Sequence, residues 1–192
     1  MTTAIIPVKP LLESKTRLAH LLSPAERAAL MGSFLARTLW VLQQTAVSQI
    51  LVVSRDEGVL QQARAAGVET LREKRPFALN AAVTQARDTT VRQGAGSVLI
   101  LPADLPFVQA ADIERLLLVH SDNGRLPIPL MAICGDEQQQ GTNALLLSPP
   151  LPFTFHYGPH SFVRHCEEAE RNGRLVRVVN SRSLQFDLDT EG

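Results

Sequence analysis

The chain is 192 residues long, 45% hydrophobic and 20% charged, and its 19 Lys+Arg balance 19 Asp+Glu. That length favours one domain able to bury about 70% of its unfolded surface, so neither a disulfide nor a structural metal is required. Zero net charge argues against nucleic acid held through bulk charge; no 18-residue apolar run marks a membrane span, and the opening MTTAIIPVKPLLESK lacks the cationic start and apolar run of a signal peptide, so a cytoplasmic protein with no nucleic-acid or membrane partner is expected.

Taken in order, Thr3-Ala-Ile-Ile-Pro-Val8 reads as a first short strand. Ser23-Pro-Ala-Glu26 supplies an N-cap, a proline at the first helical position and a capping-box glutamate. The helix behind it shows Leu30, Phe34, Leu35, Leu39 and Leu42 as one apolar stripe. Gln49-Ile-Leu-Val-Val-Ser54 is a continuous β-branched strand, residues 56–66 a helix stopped by Gly67, and residues 68–71 a short strand. Residues 79–92 form a helix closed by Gly94, and Ser97-Val-Leu-Ile-Leu101 is the most strand-like segment, leading into Pro102-Ala-Asp-Leu-Pro106. Residues 111–120 are helical, with Ile113, Leu116 and Leu117 on one face. Residues 125–133 read as a strand that Pro127 and Pro129 confine to an edge or to an irregular stretch. Asn143-Ala-Leu-Leu-Leu147 is a strand, residues 162–172 a helix and residues 175–179 a strand. Strands alternating with helices imply right-handed crossovers and a mostly parallel sheet covered on both faces: one three-layer α/β domain over residues 1–192. Cys134 and Cys166 have no metal-ligand spacing and read as idle thiols.

In such sheets ligands bind beyond the carboxyl ends of the strands, which singles out Lys9, Ser54-Arg-Asp56, Asp104 and the Asp187/Asp189 pair. Asp104 sits between prolines directly after a buried strand. Asp187 and Asp189 alternate, so they share a side if extended. Carboxylates converging from distant parts of the chain make a hard oxygen site suited to Mg²⁺. Lys9, Lys15 and Arg17, between the first strand and first helix, read either as a solvated basic loop or as a polyphosphate grip. Neither G-x-x-x-x-G-K-[ST] nor G-x-G-x-x-G occurs. Gly141-Thr-Asn143 and Phe155-His-Tyr-Gly-Pro-His-Ser161 add small polar groups, the latter before a helix N-terminus that suits an anion. His156, His160 and His165 form no zinc pattern, and no G-x-S-x-G elbow supports a serine nucleophile.

Ile6-Pro-Val-Lys-Pro10, Lys15-Thr-Arg-Leu18, Leu22-Ser-Pro-Ala-Glu-Arg27, Leu79-Asn-Ala-Ala82, Leu101-Pro-Ala-Asp-Leu-Pro106, the GTNALLL run at 141–147, GPHSFVRH at 158–165 and Asp187-Leu-Asp-Thr190 occur in order. Together they resemble the CofC/FbiD family, the guanylyltransferases of coenzyme F420 biosynthesis, over nearly the whole chain. The resemblance implies a nucleotide-diphospho-sugar-transferase-like, Rossmann-related fold. It also implies transfer of GMP from GTP to the phosphate of 2-phospho-L-lactate, phosphoenolpyruvate or 3-phosphoglycerate, with release of pyrophosphate. By the same resemblance Asp104 and Asp189, with Asp187 in reserve, hold Mg²⁺; Pro7, Lys9, Lys15, Arg17 and Asn80 meet the nucleotide; Thr142, Gly158 and Ser161 meet the acceptor. Lys15, Arg17 and Asp104 carry the catalytic assignments, and Arg164 reads equally as an acceptor-phosphate or carboxylate clamp or as a surface helix arginine. The family pattern is broken at Ala78 and His160, both usually Gly, and over residues 132–140. A molybdenum-cofactor type nucleotidyltransferase and a non-catalytic GTP-binding relative are the competing readings, and the F420-forming transferase and a homodimer partner are the associations expected.

Overall fold

The computed structural model describes residues 1–13, 19–74, 78–118 and 128–186. The elements are β1 (Thr2–Pro7), a 3-10 turn at Leu11–Glu13, α1 (Pro24–Leu42), β2 (Gln49–Ser54), α2 (Glu57–Ala65), β3 (Glu69–Arg72), α3 (Leu79–Arg92), β4 (Ser97–Ile100), α4 (Ala110–Leu117), β5 (Leu130–Gly135), β6 (Thr142–Ser148), α5 (Ser161–Arg171), β7 (Leu175–Val178) and α6 (Arg182–Gln185). They build one seven-stranded sheet in the order β3-β2-β1-β4-β6-β5-β7. β3, β2, β1 and β4 pair in parallel, β6 runs antiparallel to both of its neighbours, and β5 pairs in parallel with β7.

The unbroken apolar strands have a direct cause, since both faces of the sheet are covered. Ala4, Ile6, Val52, Leu99, Ala132, Cys134 and Leu146 point into one core, beneath α1, α2, α4 and α6. The alternate residues Ile5, Leu51, Val53, Val98, Ile100, Met131, Ile133 and Leu145 point into the other, beneath α3 and α5, which Phe153, Phe155 and Phe162 complete.

Local signals explain most element boundaries. Ser23 caps α1 in a reciprocal capping box with Glu26, with Pro24 at the first helical position, a device worth about 1 kcal/mol. Asp56 caps α2 through Gly58 N at 2.9 Å and also accepts from Leu11 N at 3.0 Å, so this rim residue fastens the 3-10 turn. Gly67 and Gly94 close α2 and α3 at φ 75° and 91°, in the left-handed region that glycine occupies without penalty.

Two expectations need correction, and one element is new. The buried line of α1 runs through Met31, Leu35, Leu39 and Leu42, whereas Leu30 and Phe34 are only half-buried on its flank. Of the strand expected over residues 125–133, residues 125–127 lie outside the described residues; β5 itself starts at Leu130 and lies second from the edge with all six residues buried. Pro129 directly precedes the strand, its carbonyl accepting from Leu175 N at 2.8 Å, instead of confining it to an edge. The short helix α6 was not expected at all, because four residues carry no periodic signal.

Candidate active site

The site is built at the rim where β1, β2 and β4 end. Leu101 N donates to Ile5 O and Val8 N to Val53 O, each at 3.0 Å, so pairing continues past the strands. That draws the chain after Pro7 alongside the chain leading to Asp104. Sheet order reverses between β1 and β4, and such a crevice is the usual ligand position in open α/β sheets. Asp104 is half-buried in the turn after β4, Pro7 is half-buried, and Lys9 is exposed beside them.

β6 reaches the same rim from the opposite direction. Because it is antiparallel to β4, with Leu145 opposite Ile100, its first residues Thr142 and Asn143 lie beyond the carboxyl end of β4. Residues that precede a strand would sit at the far rim if that strand were parallel. The reversal of β6 is what brings Gly141, Thr142 and Asn143 into the site.

Asn143 then works away from the ligand side: its Nδ2 donates to the carbonyls of Leu184 at 2.9 Å and Gln185 at 3.1 Å, satisfying the end of α6. The other end of α6 is fastened by Asp112, a buried carboxylate that accepts from Ser181 Oγ and Ser183 Oγ, both at 2.6 Å, and from Gln109 N at 3.0 Å. Phe186, the last described residue, packs on Phe107 with ring centroids 5.1 Å apart. The chain is therefore delivered to a residue three positions beyond Asp104. Sequence reasoning missed Asp112, Ser181, Ser183 and the Phe107–Phe186 pair, and no local pattern links positions some 70 residues apart.

Opposite this corner lies a second polar group. Ser161 opens α5 and donates from Oγ to Thr142 Oγ1 at 3.1 Å. Thr142 Oγ1 also meets His165 Nδ1 at 3.0 Å, and His165 Nε2 accepts from the backbone N–H of His156 at 2.8 Å. Thr142, Ser161 and His165 are buried, the last completely. Burial first, and then the nearby His156 and Arg164, depress the His165 pKa to about 3 against the opposing pull of Glu168, so the ring is neutral. Tyr157, packed edge-on against His165 at 4.8 Å, has its phenol pKa pushed up by burial and stays protonated.

Gly158 adopts φ 129° with open space where a Cβ would stand, and the segment around it is clasped from α3. Asn80 Oδ1 accepts from Tyr157 N at 2.7 Å, and its Nδ2 donates to Tyr157 O at 3.0 Å. Expected to meet nucleotide, Asn80 thus ties α3 to the Phe155–Gly158 stretch. Arg164 is exposed and rests on His156 Nδ1 at 3.3 Å.

The two departures from glycine acquire a physical description. Ala78 precedes α3 at φ −127°, which alanine adopts freely. His160 sits in the left-handed region at φ 57°, where glycine is at ease and histidine is uncommon, and its Nδ1 pairs with Gln140 Oε1 at 2.6 Å.

Lys15, Arg17, Asp187 and Asp189 lie outside the described residues. Among the described residues no cluster of three metal-ligating side chains occurs. As residue types, the three expected carboxylates Asp104, Asp187 and Asp189 are the oxygen donors that suit a hard divalent cation such as Mg²⁺, with no thiolate or imidazole among them.

Residues 2–192 match the family described as guanylyl transferase, CofC like. The chain is 41% identical over 187 residues to a phosphoenolpyruvate guanylyltransferase of Rubrobacter xylanophilus, covering 97% of this chain and 88% of that protein. It is 35% identical to a 2-phospho-L-lactate guanylyltransferase of Methanothermobacter thermautotrophicus, covering 98% and 80%. A 3-phospho-D-glycerate guanylyltransferase of Phenylobacterium zucineum is 33% identical, covering 98% and 86%. Among solved structures, a putative nucleotide-diphospho-sugar transferase from Desulfovibrio desulfuricans superposes with a TM-score of 0.73 at 13% identity, covering 93% of this chain and 79% of that one. At that identity the likeness speaks for the fold alone.

Proposed function

Since this chain belongs to the CofC-like guanylyl transferase family, we propose that it moves GMP from GTP to the phosphate of a three-carbon phospho-acid. Phosphoenolpyruvate is the first choice, with 2-phospho-L-lactate and 3-phosphoglycerate next, and the product serves coenzyme F420 assembly. The observation that carries the reading is the convergence, at one sheet rim, of Asp104 after β4 and the buried Thr142–Ser161 hydroxyl pair contributed by an antiparallel strand and a helix N-terminus.

The nucleophile belongs to the substrate. A phosphate oxygen of the acid attacks the α-phosphorus of GTP, a new P–O–P linkage forms, and the α–β bridging oxygen departs with pyrophosphate. No activated serine or cysteine is needed, in accord with a Cys134 thiol that burial pushes up to about 11. The protein's task is to bring two polyanions into line, which contributes roughly 7–11 kcal/mol in favourable systems. Lys9, Lys15 and Arg17 grip the triphosphate beside Pro7. Thr142, Gly158 and Ser161 receive the acid, and Asn80 keeps the Gly158 segment in place. Asp104 and Asp189, with Asp187 beside them, would hold Mg²⁺, which when bound offsets charge on the reacting phosphates.

The test is pyrophosphate release from GTP, CTP and ATP with each of the three acids, with product mass and coupling to the F420-forming transferase as readouts. GTP with phosphoenolpyruvate is expected to give the fastest release and a product heavier by one GMP unit, and excess EDTA is expected to stop it. GTP binding with no transfer to any acid overturns the reading, and full activity in EDTA overturns the metal assignment.

A further inference from the structure

His165 is not among the groups that grip either substrate, yet it is completely buried and uses both ring nitrogens. Its Nε2 lies 2.8 Å from the backbone nitrogen of His156. A backbone N–H only donates, so Nε2 bears no proton. The ring is neutral, and its single proton is therefore on Nδ1, 3.0 Å from Thr142 Oγ1. Thr142 is in this way an obligatory acceptor toward His165.

That polarity propagates. With Ser161 donating to Thr142 Oγ1 at 3.1 Å, Thr142 receives two donors, and among the described residues nothing accepts its own hydrogen. If instead Thr142 turns its hydrogen to Ser161 Oγ, the Ser161 hydrogen is the one released. In either arrangement exactly one hydroxyl hydrogen of the pair is left for a ligand. The opposite tautomer would invert this: Thr142 would donate into Nδ1, Ser161 into Thr142, and the pair would show an oxyanion only lone pairs.

We propose that His165 is a positioning residue that, locked as the Nδ1–H tautomer by the His156 amide, makes the Thr142–Ser161 pair a hydrogen-bond donor selective for an oxygen of the anionic acceptor. The identity of that acceptor rests on the guanylyl-transfer reading; the polarity of the pair does not. His165 acts through Thr142 and touches no substrate. Packing alone would not require both nitrogens: the ring contacts with Tyr157 at 4.8 Å and Phe153 at 5.9 Å are equally open to a phenyl group.

Two measurements decide it. A long-range proton–nitrogen correlation spectrum of the ¹⁵N-histidine protein at neutral pH is expected to show His165 protonated at Nδ1 and bare at Nε2; a proton at Nε2 overturns the proposal whatever the enzyme's activity. Kinetically, His165→Phe keeps the ring but removes the donor, and is expected to raise the KM for phosphoenolpyruvate about tenfold or more, with the KM for GTP within about twofold of wild type. His165→Asn, whose amide can donate to Thr142, is expected to restore the phosphoenolpyruvate KM to within about threefold. An unchanged phosphoenolpyruvate KM in the Phe variant, a parallel rise in both KM values, or no rescue by Asn overturns the proposal. A wild type inactive on all three acids would count against the guanylyl-transfer reading instead, and the spectrum would still decide the tautomer.

Discussion

At the residue scale, the polar side chains of the candidate site fall into those that the proposed reading assigns to substrate or metal and those seen to hold other segments still. Asp104 belongs to the first kind. It is half-buried on a short turn stiffened by Pro102 and Pro106, so removing its charge disturbs little packing. Asp104→Asn is expected to lower turnover at least about 100-fold, since a lost metal contact costs several kcal/mol of transition-state stabilisation. Stability should stay within about 0.5 kcal/mol of wild type. Steady-state rates and thermal melts of the purified variant check both halves, and near wild-type GTP consumption would remove Asp104 from the metal site. Asn80, Asn143 and Asp112 are of the second kind. Each spends its polar atoms on the backbone or hydroxyls of a neighbouring segment, and together they anchor the two segments that flank the rim.

At the element scale, the corner proposed for the acceptor depends on how closely β5 and α5 approach. Gly135 ends β5 at a register shift, and a Cβ built there would lie 2.8 Å from Phe162 Cδ2, 3.2 Å from Gly141 O and 3.3 Å from Gln139 Cα. A methyl there forces the Phe162 ring to shift and crowds the backbone of the Gln139–Gly141 turn, next to Thr142 on one side and Ser161 on the other. Gly135→Ala is therefore expected to cost about 1–3 kcal/mol of stability through overpacking. On the proposed reading it should also raise the phospho-acid KM more than the GTP KM, because the crowded atoms adjoin Thr142 and Ser161, the groups assigned to the acid. Denaturant melts and separate KM determinations test this; an unaffected acid KM would show that Ser161 need not stay where α5 puts it.

At the scale of the whole molecule, the neutral buried imidazole makes folding sensitive to acid. The His165 pKa falls from 6.5 to about 3 in the folded state, chiefly through burial. Below about pH 6.5 the unfolded chain takes up a proton that the native protein refuses, so stability is complete above that pH and declines beneath it, by up to about 1.4 kcal/mol per pH unit. Between about pH 7.5 and 5.5 the wild type should lose on the order of 1 kcal/mol more than His165→Phe, which has no proton to refuse. Urea midpoints at the two pH values measure this, and equal losses in both proteins would mean that the ring titrates normally in the fold.

Position after a strand made Asp104 a candidate, and family resemblance made Thr142, Gly158 and Ser161 candidates. Length, alternating apolar runs and capping signals were enough, without coordinates, to specify an α/β chain with a covered sheet, the limits of β2 and α3 and the cap of α1. These are properties of neighbours in the chain: a capping box spans four residues, and a buried strand is apolar because both its faces are covered. The direction of β6 was not legible, because an apolar strand reads alike in either direction. Only its pairing with β4 and β5 decided that Thr142 belongs to the same rim as Asp104. The same holds for Asp112 with Ser181 and Ser183, and for His165 with Thr142 and His156. A hydrogen bond between distant residues leaves no periodic trace in a single chain, so what each polar group satisfies was settled only when folding removed water from around it.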